Sequence, residues 1–397
     1  MSIEIRTATD ADWEPLCHAD GRAFGFTYTE EMRAERRPLM DLDRFRLAFD
    51  GSDIVGLAGS YAFDVTMPGG TCVPAGGLTW VGVAATHRRQ GVLRSLIDAC
   101  HQDMIDRGEP VSLLHASEGG IYERFGYGIA HQYREVEVDV RATAIRDEFR
   151  VPAGSVRYID GDAAFDHMVE VWERFRRTRA GELSRNMAWH QFVRTIRGRS
   201  MGEASAAFHL AHVDGFASYR VKDDWSQGSP NHTMELVEFA AVTPEAHLAL
   251  WQVLLSVDLV GTISRDYFPT DDALPYLLTN PRAVRTKALA DGVWALPLDV
   301  STLFGARSYG TTDRFVLEVD GKRWSFDGSP EGGEVKAVRS KPDLVMQTSA
   351  LGALVLGGVR PSALAAGRRL TARNDDVLRR ADHFFLGDRD PASTTMF

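Results

Sequence analysis

Alternating and helically spaced apolar positions divide the chain into three stretches. In the first, ending near Ile145, an alternating strand at Ile3–Arg6 precedes a helix that opens at Asp10. Phe45–Phe49, Ile54–Phe63 and Leu78–Ala85 then alternate or run apolar between turn residues, as strands of a meander do. A long helix is predicted over Arg88–Arg107, with Leu93, Leu96, Ile97, Cys100, Met104 and Ile105 on one face and Gly108 and Pro110 stopping it. Val111–His115 and Tyr133–Val140 read as further strands. A helix placed late among strands predicts an α/β unit built on a mixed sheet.

The second stretch, Arg146 to Pro297, repeats that order more faintly. Helices carrying Trp172, Arg174 and Phe175, then Trp189, Phe192 and Val193, precede strands at Ala206–Val213 and Ala217–Lys222 around the turn Asp214-Gly215. The strand Met234–Val242, the helix Pro244–Val257 and the strand Thr262–Tyr267 follow. A shift of 156 positions lays Val81-Gly82-Val83-Ala84-Ala85 over Val237-Glu238-Phe239-Ala240-Ala241, each leading into a helix, which reads as an internal duplication. From Asp299 the pattern changes. Phe315–Val319 and Arg323–Phe326 flank Asp320-Gly321 as a hairpin, and helices are expected at Ser349–Leu356, at Pro361–Ala366 and up to Phe385. The predicted domains are therefore residues 1–145, 146–297 and 298–397.

Composition narrows the partners. Forty-five Lys and Arg against 55 Asp and Glu leave a net charge of −10, which disfavours a nucleic-acid duplex and mildly favours cationic small molecules. The apolar run Ala350–Val359 holds three glycines and falls far short of the ~18 residues of a membrane span. Cys17, Cys72 and Cys100 form no disulfide framework or Cys-x-x-Cys clip, and no basic-then-apolar leader follows Met1, so a cytoplasmic protein is expected. His209 and His212, the nearest histidine pair, would point to opposite faces of a strand, so no metal site is expected.

Chemistry gathers at Val81–Arg94. An apolar strand ends, Thr86 can cap, and Arg88-Arg89-Gln90-Gly91 opens an amphipathic helix. Such a turn presents backbone N–H groups at a helix N-terminus, Gly91 lets a ligand approach closely, and two arginines add charge for a phosphate. The spacing is neither that of a nucleoside-triphosphate loop nor Gly-x-Gly-x-x-Gly.

Arg88-x-x-Gly91-x-Leu93 after a strand and before a helix resembles the coenzyme A pyrophosphate loop of the GCN5-related N-acetyltransferases. Leu93 stands where that superfamily carries Gly or Ala, which the fold can accept if the side chain turns into the core. Ala116-Ser117-Glu118-Gly119-Gly120-Ile121-Tyr122-Glu123-Arg124-Phe125-Gly126-Tyr127 is similar to the motif whose tyrosine sits on a helix facing the acetyl thioester. The whole chain resembles the Eis acetyltransferases, which implies an α/β (α+β) fold of two tandem acetyltransferase-like domains and a C-terminal domain like sterol carrier protein. The last is supported by Phe315–Gly321, Leu351–Gly358 and Pro361–Ala366. In the second domain Pro244, Glu245 and His247 replace Arg88, Arg89 and Gly91, so no cofactor is expected there.

The resemblance implies acetyl-coenzyme A as cosubstrate. Its pantetheine would lie along Val81, Gly82 and Val83, its pyrophosphate on Arg88, Arg89, Gln90, Gly91, Val92, Leu93 and Arg94, and Ser117 and Glu118 would line the same arm or the acetyl end. Tyr122, with an ordinary pKa of ~10 near the thiol's ~8.5, would be the general acid. The family's base is the C-terminal carboxylate, here Phe397. With a pKa of ~3.5 against an amine near ~10, a water relay suits it better than direct transfer. Aminoglycoside-acetylating relatives carry acids near an early Ala-x-Phe stretch and before the terminal Phe. Here Phe24-Gly-Phe26 and Met396 take those places. A pocket of Phe24, Phe26, Tyr28 and Met396 favours an amine with an apolar body. The expected acceptors are aminoglycoside-like or polyamine-like cations or lysine side chains, and the resemblance implies a homo-hexamer. The competing reading is a lipid- or hydrophobic-ligand-binding protein with a vestigial acetyltransferase fold.

Overall fold

The computed structural model describes residues 3–198, 202–225 and 228–397. Its contacts separate one unit, Met1–His131 with Gly292–Asp388 and Thr395–Phe397, from a second, Gln132–Asp291 with Arg389–Thr394.

In the first unit the chain lays down β1 (Glu4–Thr7), α1 (Trp13–Phe24), α2 (Glu30–Arg36), β2 (Arg46–Asp50), β3 (Asp53–Thr66) and β4 (Cys72–Val83). The helix α3 (Val92–Asp106), β5 (Val111–His115) and β6 (Gly128–Ile129) follow. The expected helix therefore begins four residues later than its apolar spacing suggests. Arg89 and Gly91 take left-handed φ of 63° and 85°, so residues 88–91 form a non-helical loop that ends in the helix cap. The buried face of α3 is Val92, Leu96, Ile97, Cys100 and Met104. Leu93 is half-buried against the same cluster, and Ile105 is exposed rather than part of it. Each fully buried aliphatic side chain there contributes about 1.5–3 kcal/mol.

The second unit contains β7 (Gln132–Asp139), β8 (Arg157–Ile159), α4 (Gly161–Phe175), α5 (Met187–Gly198), β9 (Phe208–His212), β10 (Gly215–Lys222) and β11 (His232–Ala241). It continues through α6 (Pro244–Leu254), β12 (Val260–Phe268), α7 (Leu274–Leu277) and β13 (Val284–Asp291). The chain then returns to the first unit as β14 (Val293–Pro297) and α8 (Val300–Gly305). A five-stranded sheet of β15 (Asp313–Val319), β16 (Lys322–Ser329), β17 (Gly332–Ala337), β18 (Leu344–Met346) and β19 (Leu370–Ala372) follows, with α9 (Thr348–Leu354), α10 (Pro361–Ala366) and α11 (Asp375–Phe385). The Asp320-Gly321 hairpin is present, with φ of 47° and 80° at its two turn residues.

Two seven-stranded sheets carry one topology. Their orders are β1-β2-β3-β4-β5-β14-β6 and, read from the opposite edge, β8-β9-β10-β11-β12-β7-β13. In each, only the fourth and fifth strands run parallel. The sixth place in each sheet is filled from across a chain crossing. Tyr133–Val140, expected within residues 1–145, supplies β7 to the second sheet, and Val293–Pro297, expected within residues 146–297, supplies β14 to the first. Both sheets also bulge at the same point: Trp80 and Val81 together oppose Ala58, and Val237 is extra opposite Ser218 and Tyr219.

Candidate active site

The cleft of the first sheet follows from how β4 leaves its neighbour. β4 pairs with β5 only over Ala75–Gly77 and Val111–Leu113, and β5 then runs on beside β14. Past that point the bulge holds Trp80 at a φ of 52°. Ala84 N–H donates to Val55 O of β3 at 2.9 Å. Strand alternation therefore turns the N–H and C=O of Val83 and Val81 to the opposite edge, where β5 has diverged. That edge is open for a ligand that hydrogen-bonds like a strand.

The loop ahead of α3 completes an anion cradle. Two left-handed residues, Arg89 and Gly91, turn successive N–H groups outward at the N-terminus of a fifteen-residue helix. A side chain at Gly91 would meet nothing within 4 Å, so it is the positive φ, not crowding, that calls for glycine. Arg88 and Arg89 are exposed and, among the described residues, make no ion pair, while Arg94 lies over the Phe125 ring at 5.2 Å. His87 beside them is held by Asp50 at 3.2 Å.

One cleft of about 690 Å3 brings these parts together. It is lined by Val81, Gly82, Val83, Arg88, Arg89, Gly91, Val92, Leu93, Arg94, Ser117, Glu118 and Tyr122. Of the twelve residues expected at the cofactor, Gln90 alone is not part of this lining and is exposed. Sequence reading had not assigned Phe125, Ile121, Arg124, His87 or Ala23 to this wall. Phe125 was legible as part of the Tyr122 motif; Ala23 needed the packing of α1 on β4.

Tyr122 is not on a helix as expected: it caps a single 3-10 turn, Glu123–Phe125, after a run of turns. Glycines at 119, 120 and 126 disfavour a longer helix. Its ring is 6% exposed and meets Tyr127 edge-on at 6.1 Å. Burial pushes its hydroxyl above the ordinary phenol value; a hydrogen bond with Ser117 pulls the other way and the Glu118 charge adds to the rise. The hydroxyl is therefore protonated at neutral pH. Tyr127 is tied by Ser112 at 2.6 Å and His101 at 2.8 Å.

The chain end lies where β4 and β5 part. Phe397 packs its ring 5.1 Å from Phe63 and 5.0 Å from His115, and a Cβ on Gly77 would come within 2.8 Å of it. A side chain at 77 would clash with both the Phe63 ring and the terminal ring. Thr395 O accepts from His115 Nε2 at 3.3 Å, which fixes the imidazole proton on that nitrogen. Phe397 is not among the residues lining the Tyr122 cleft.

A GNAT acetyltransferase domain model matches residues 4–130, a second matches 181–293, and a sterol carrier protein domain model matches 300–393. The chain is 33% identical to N-acetyltransferase Eis of Mycobacterium tuberculosis over 402 positions, 98% of both chains. It is 32% identical to an uncharacterized N-acetyltransferase of Streptomyces avermitilis over 97% of each. The Eis1 crystal structure from Mycobacterium abscessus superposes with a TM-score of 0.90 at 30% identity, covering 99% of this chain and 100% of that one. The chain belongs to the Eis N-acetyltransferase family. It is an N-acetyltransferase, and enzymes of this fold use acetyl-coenzyme A. A GCN5-related N-acetyltransferase from Anabaena variabilis shares the fold alone, with a TM-score of 0.82 at 17% identity.

The four residues expected at the acceptor do not sit together in this Eis-family chain. Phe24 lines the cofactor cleft, half exposed. Phe26 and Tyr28 line a separate groove of about 580 Å3, and Tyr28 is buried, its hydroxyl donating to Asp20 Oδ2 at 2.7 Å. Met396 is exposed at 60%. Tyr28 also stacks on Trp80 at 5.6 Å, and Trp80 Nε1–H donates to Tyr61 at 2.9 Å, so aromatic packing continues from Tyr28 through the bulge. Among the described residues no group of three metal-ligating side chains stands together, and no helix is long and apolar enough to cross a membrane.

The second sheet has no such cradle. Thr243 caps α6 by accepting from Ala246 N–H, Pro244 occupies the first turn, and no left-handed pair precedes them. His247, at the place of Gly91, is bound by Asp272 at 3.1 Å. Asp272 is buried, yet the His247 contact and Arg265 hold its carboxyl down at about 2.

Proposed function

We propose that this enzyme acetylates an amine of a cationic acceptor, aminoglycoside-like, polyamine-like or a lysine side chain, from one acetyl-coenzyme A site per chain. The observation that carries the reading is the Arg88–Gly91 cradle and Tyr122 sharing the walls of one cleft. Bound acetyl-coenzyme A supplies a thioester whose acyl carbon an amine can attack. Arg88, Arg89 and the N–H groups of the loop hold the pyrophosphate, and the open edge of Val81 and Val83 aligns the arm. Tyr122 holds at its Oη the proton that the departing sulfur takes. The Phe397 carboxylate, at the parting of β4 and β5, receives the amine's proton through water. By resemblance to the family we take the chain to be hexameric, which the mass in solution checks, and from its cysteine usage and N-terminal sequence we take it to be cytoplasmic.

Thiol release with acetyl-coenzyme A and a panel of amines tests this, using wild type, Tyr122→Phe and a chain lacking Phe397. Loss of the acid lowers kcat about 10²–10⁴-fold while cofactor affinity holds within about twofold. Unchanged kcat in Tyr122→Phe removes the acid role, and unchanged kcat without Phe397 removes the base.

A further inference from the structure

Residues 389–394 of the tail pack in the second unit and residues 395–397 in the first. In the second unit Ala392 N–H donates to Ala180 O at 2.9 Å, and two residues on Thr394 N–H donates to Glu182 Oε2 at 3.2 Å. The tail thus runs beside residues 180–182, with a side-chain carboxylate taking the second bond in place of a strand carbonyl. Thr270 Oγ1 donates to Asp390 at 2.6 Å, and Arg389 lies 3.6 Å from Asp271. Ala392, Ser393 and Thr395 are buried.

Glu182 has no solvent exposure, and its Oε1 makes no hydrogen bond among the described residues. Arg179, Arg185 and Arg265 act on its charge. Arg179 is committed to Asp271, Arg185 to Glu238 at 2.6 Å and to the Trp172 face, and Arg265 stands over the Phe239 and Phe268 rings. Burying a carboxylate is costly, and an apolar residue would fill the space more cheaply. The hydrogen bond this one makes goes to the tail, three residues before the chain end.

We propose that Glu182 is a positioning residue for the acetyl transfer: it docks the C-terminal strap three residues before the Phe397 carboxylate. The proposal rests on the reading of Phe397 as the proton acceptor. Gln at 182 keeps a carbonyl that accepts from Thr394, whereas Leu keeps the volume and loses the acceptor. Thr394→Pro removes the donor of the same bond without altering the buried cluster.

The test uses the full chain as Glu182→Gln, Glu182→Leu and Thr394→Pro, and Glu182→Leu again without Phe397. Amide exchange over residues 391–397 and steady-state kinetics are the readouts. Glu182→Leu and Thr394→Pro should each lower tail protection and kcat about tenfold or more, with the KM for acetyl-coenzyme A within about twofold. Glu182→Gln should keep both within about threefold, and Glu182→Leu should cost nothing further once Phe397 is gone. Unchanged tail protection in Glu182→Leu overturns the proposal. So does an equal loss in Gln and Leu variants, which marks a packing role. A loosened tail with intact kcat also overturns it; the chain lacking Phe397 then tells whether the base reading falls too, by keeping its kcat, or stands, by losing it.

Discussion

The two halves that share a sheet topology differ in one turn and one segment, and those carry the chemistry. In both, a bulged fourth strand leads to a helix beside a parallel fifth strand. In the first half the helix is preceded by two left-handed residues and by exposed arginines that make no ion pair among the described residues, and the fifth strand leads to buried Tyr122. In the second half Thr243 satisfies its own helix and His247 is spent on Asp272. The segment after β12 there offers buried Leu274 and, at 81% exposure, Tyr276. A sheet with a splayed strand is a scaffold either way. What makes one a binding site is polar groups left without partners at the helix start.

Exchanging that turn is the strongest way to break the contrast. Placing the second half's residues in the first, as Arg88→Pro, Arg89→Glu and Gly91→His together, removes two charge-assisted contacts and imposes strain at a φ of 85°. Cofactor affinity should fall by about a thousandfold or more, on the order of 4 kcal/mol, while the strain at position 91 costs about 1–3 kcal/mol of stability. Calorimetry on wild type should give one acetyl-coenzyme A per chain. Two per chain, or tight binding by the triple variant, would place a working site in the second half.

Much of this contrast is legible in the sequence because turn chemistry is local. Arg88 to Gly91 against Pro244 to His247 can be read without a fold, and Asp320-Gly321 announces its hairpin. What hides is decided by packing between distant residues. Cys72–Gly77 reads as turn because of Pro74 and two glycines, yet it is the strand half that pairs with β5, kept bare at Gly77 for Phe63 and Phe397. The crossed strands β7 and β14 look like ends of their own domains, since an apolar strand carries no address for its sheet. Tyr28 looks like pocket lining, but its hydroxyl is committed to Asp20, eight residues earlier. Glu182 sits in an unremarkable polar stretch, and among the described residues its hydrogen-bond partner comes from the returning tail.

The second half carries a different specialisation, and its pH dependence sharpens the comparison. Burial pushes the Glu182 carboxyl up to about 7, while the Thr394 N–H, Arg185 and Arg179 pull the other way. A carboxyl whose folded pKa lies above its unfolded one is stabilising when protonated. That contribution is complete below about 4.5 and lost as pH rises through about 7, with a span on the order of 3 kcal/mol. Glu182→Gln does not titrate there. Its melting temperature should therefore gain on wild type between pH 5 and pH 8, by several degrees for a chain of this size. Parallel melting curves at the two pH values would mean that Glu182 keeps an ordinary pKa in the folded protein.

The smallest effect isolates the helix start of the second half. Thr243 accepts from Ala246 N–H at 3.2 Å, the capping bond that the first half leaves open at Gly91. Thr243→Ala should cost about 1 kcal/mol of stability, read as a shift in denaturation midpoint. It should leave kcat and the KM for acetyl-coenzyme A unchanged, because the orphaned N–H groups of α6 lack the arginines and the left-handed pair that would turn them toward a phosphate. A rise in cofactor stoichiometry on removing this one cap would mean that capping alone had closed the second site, and that the two halves lie one bond apart rather than a turn apart.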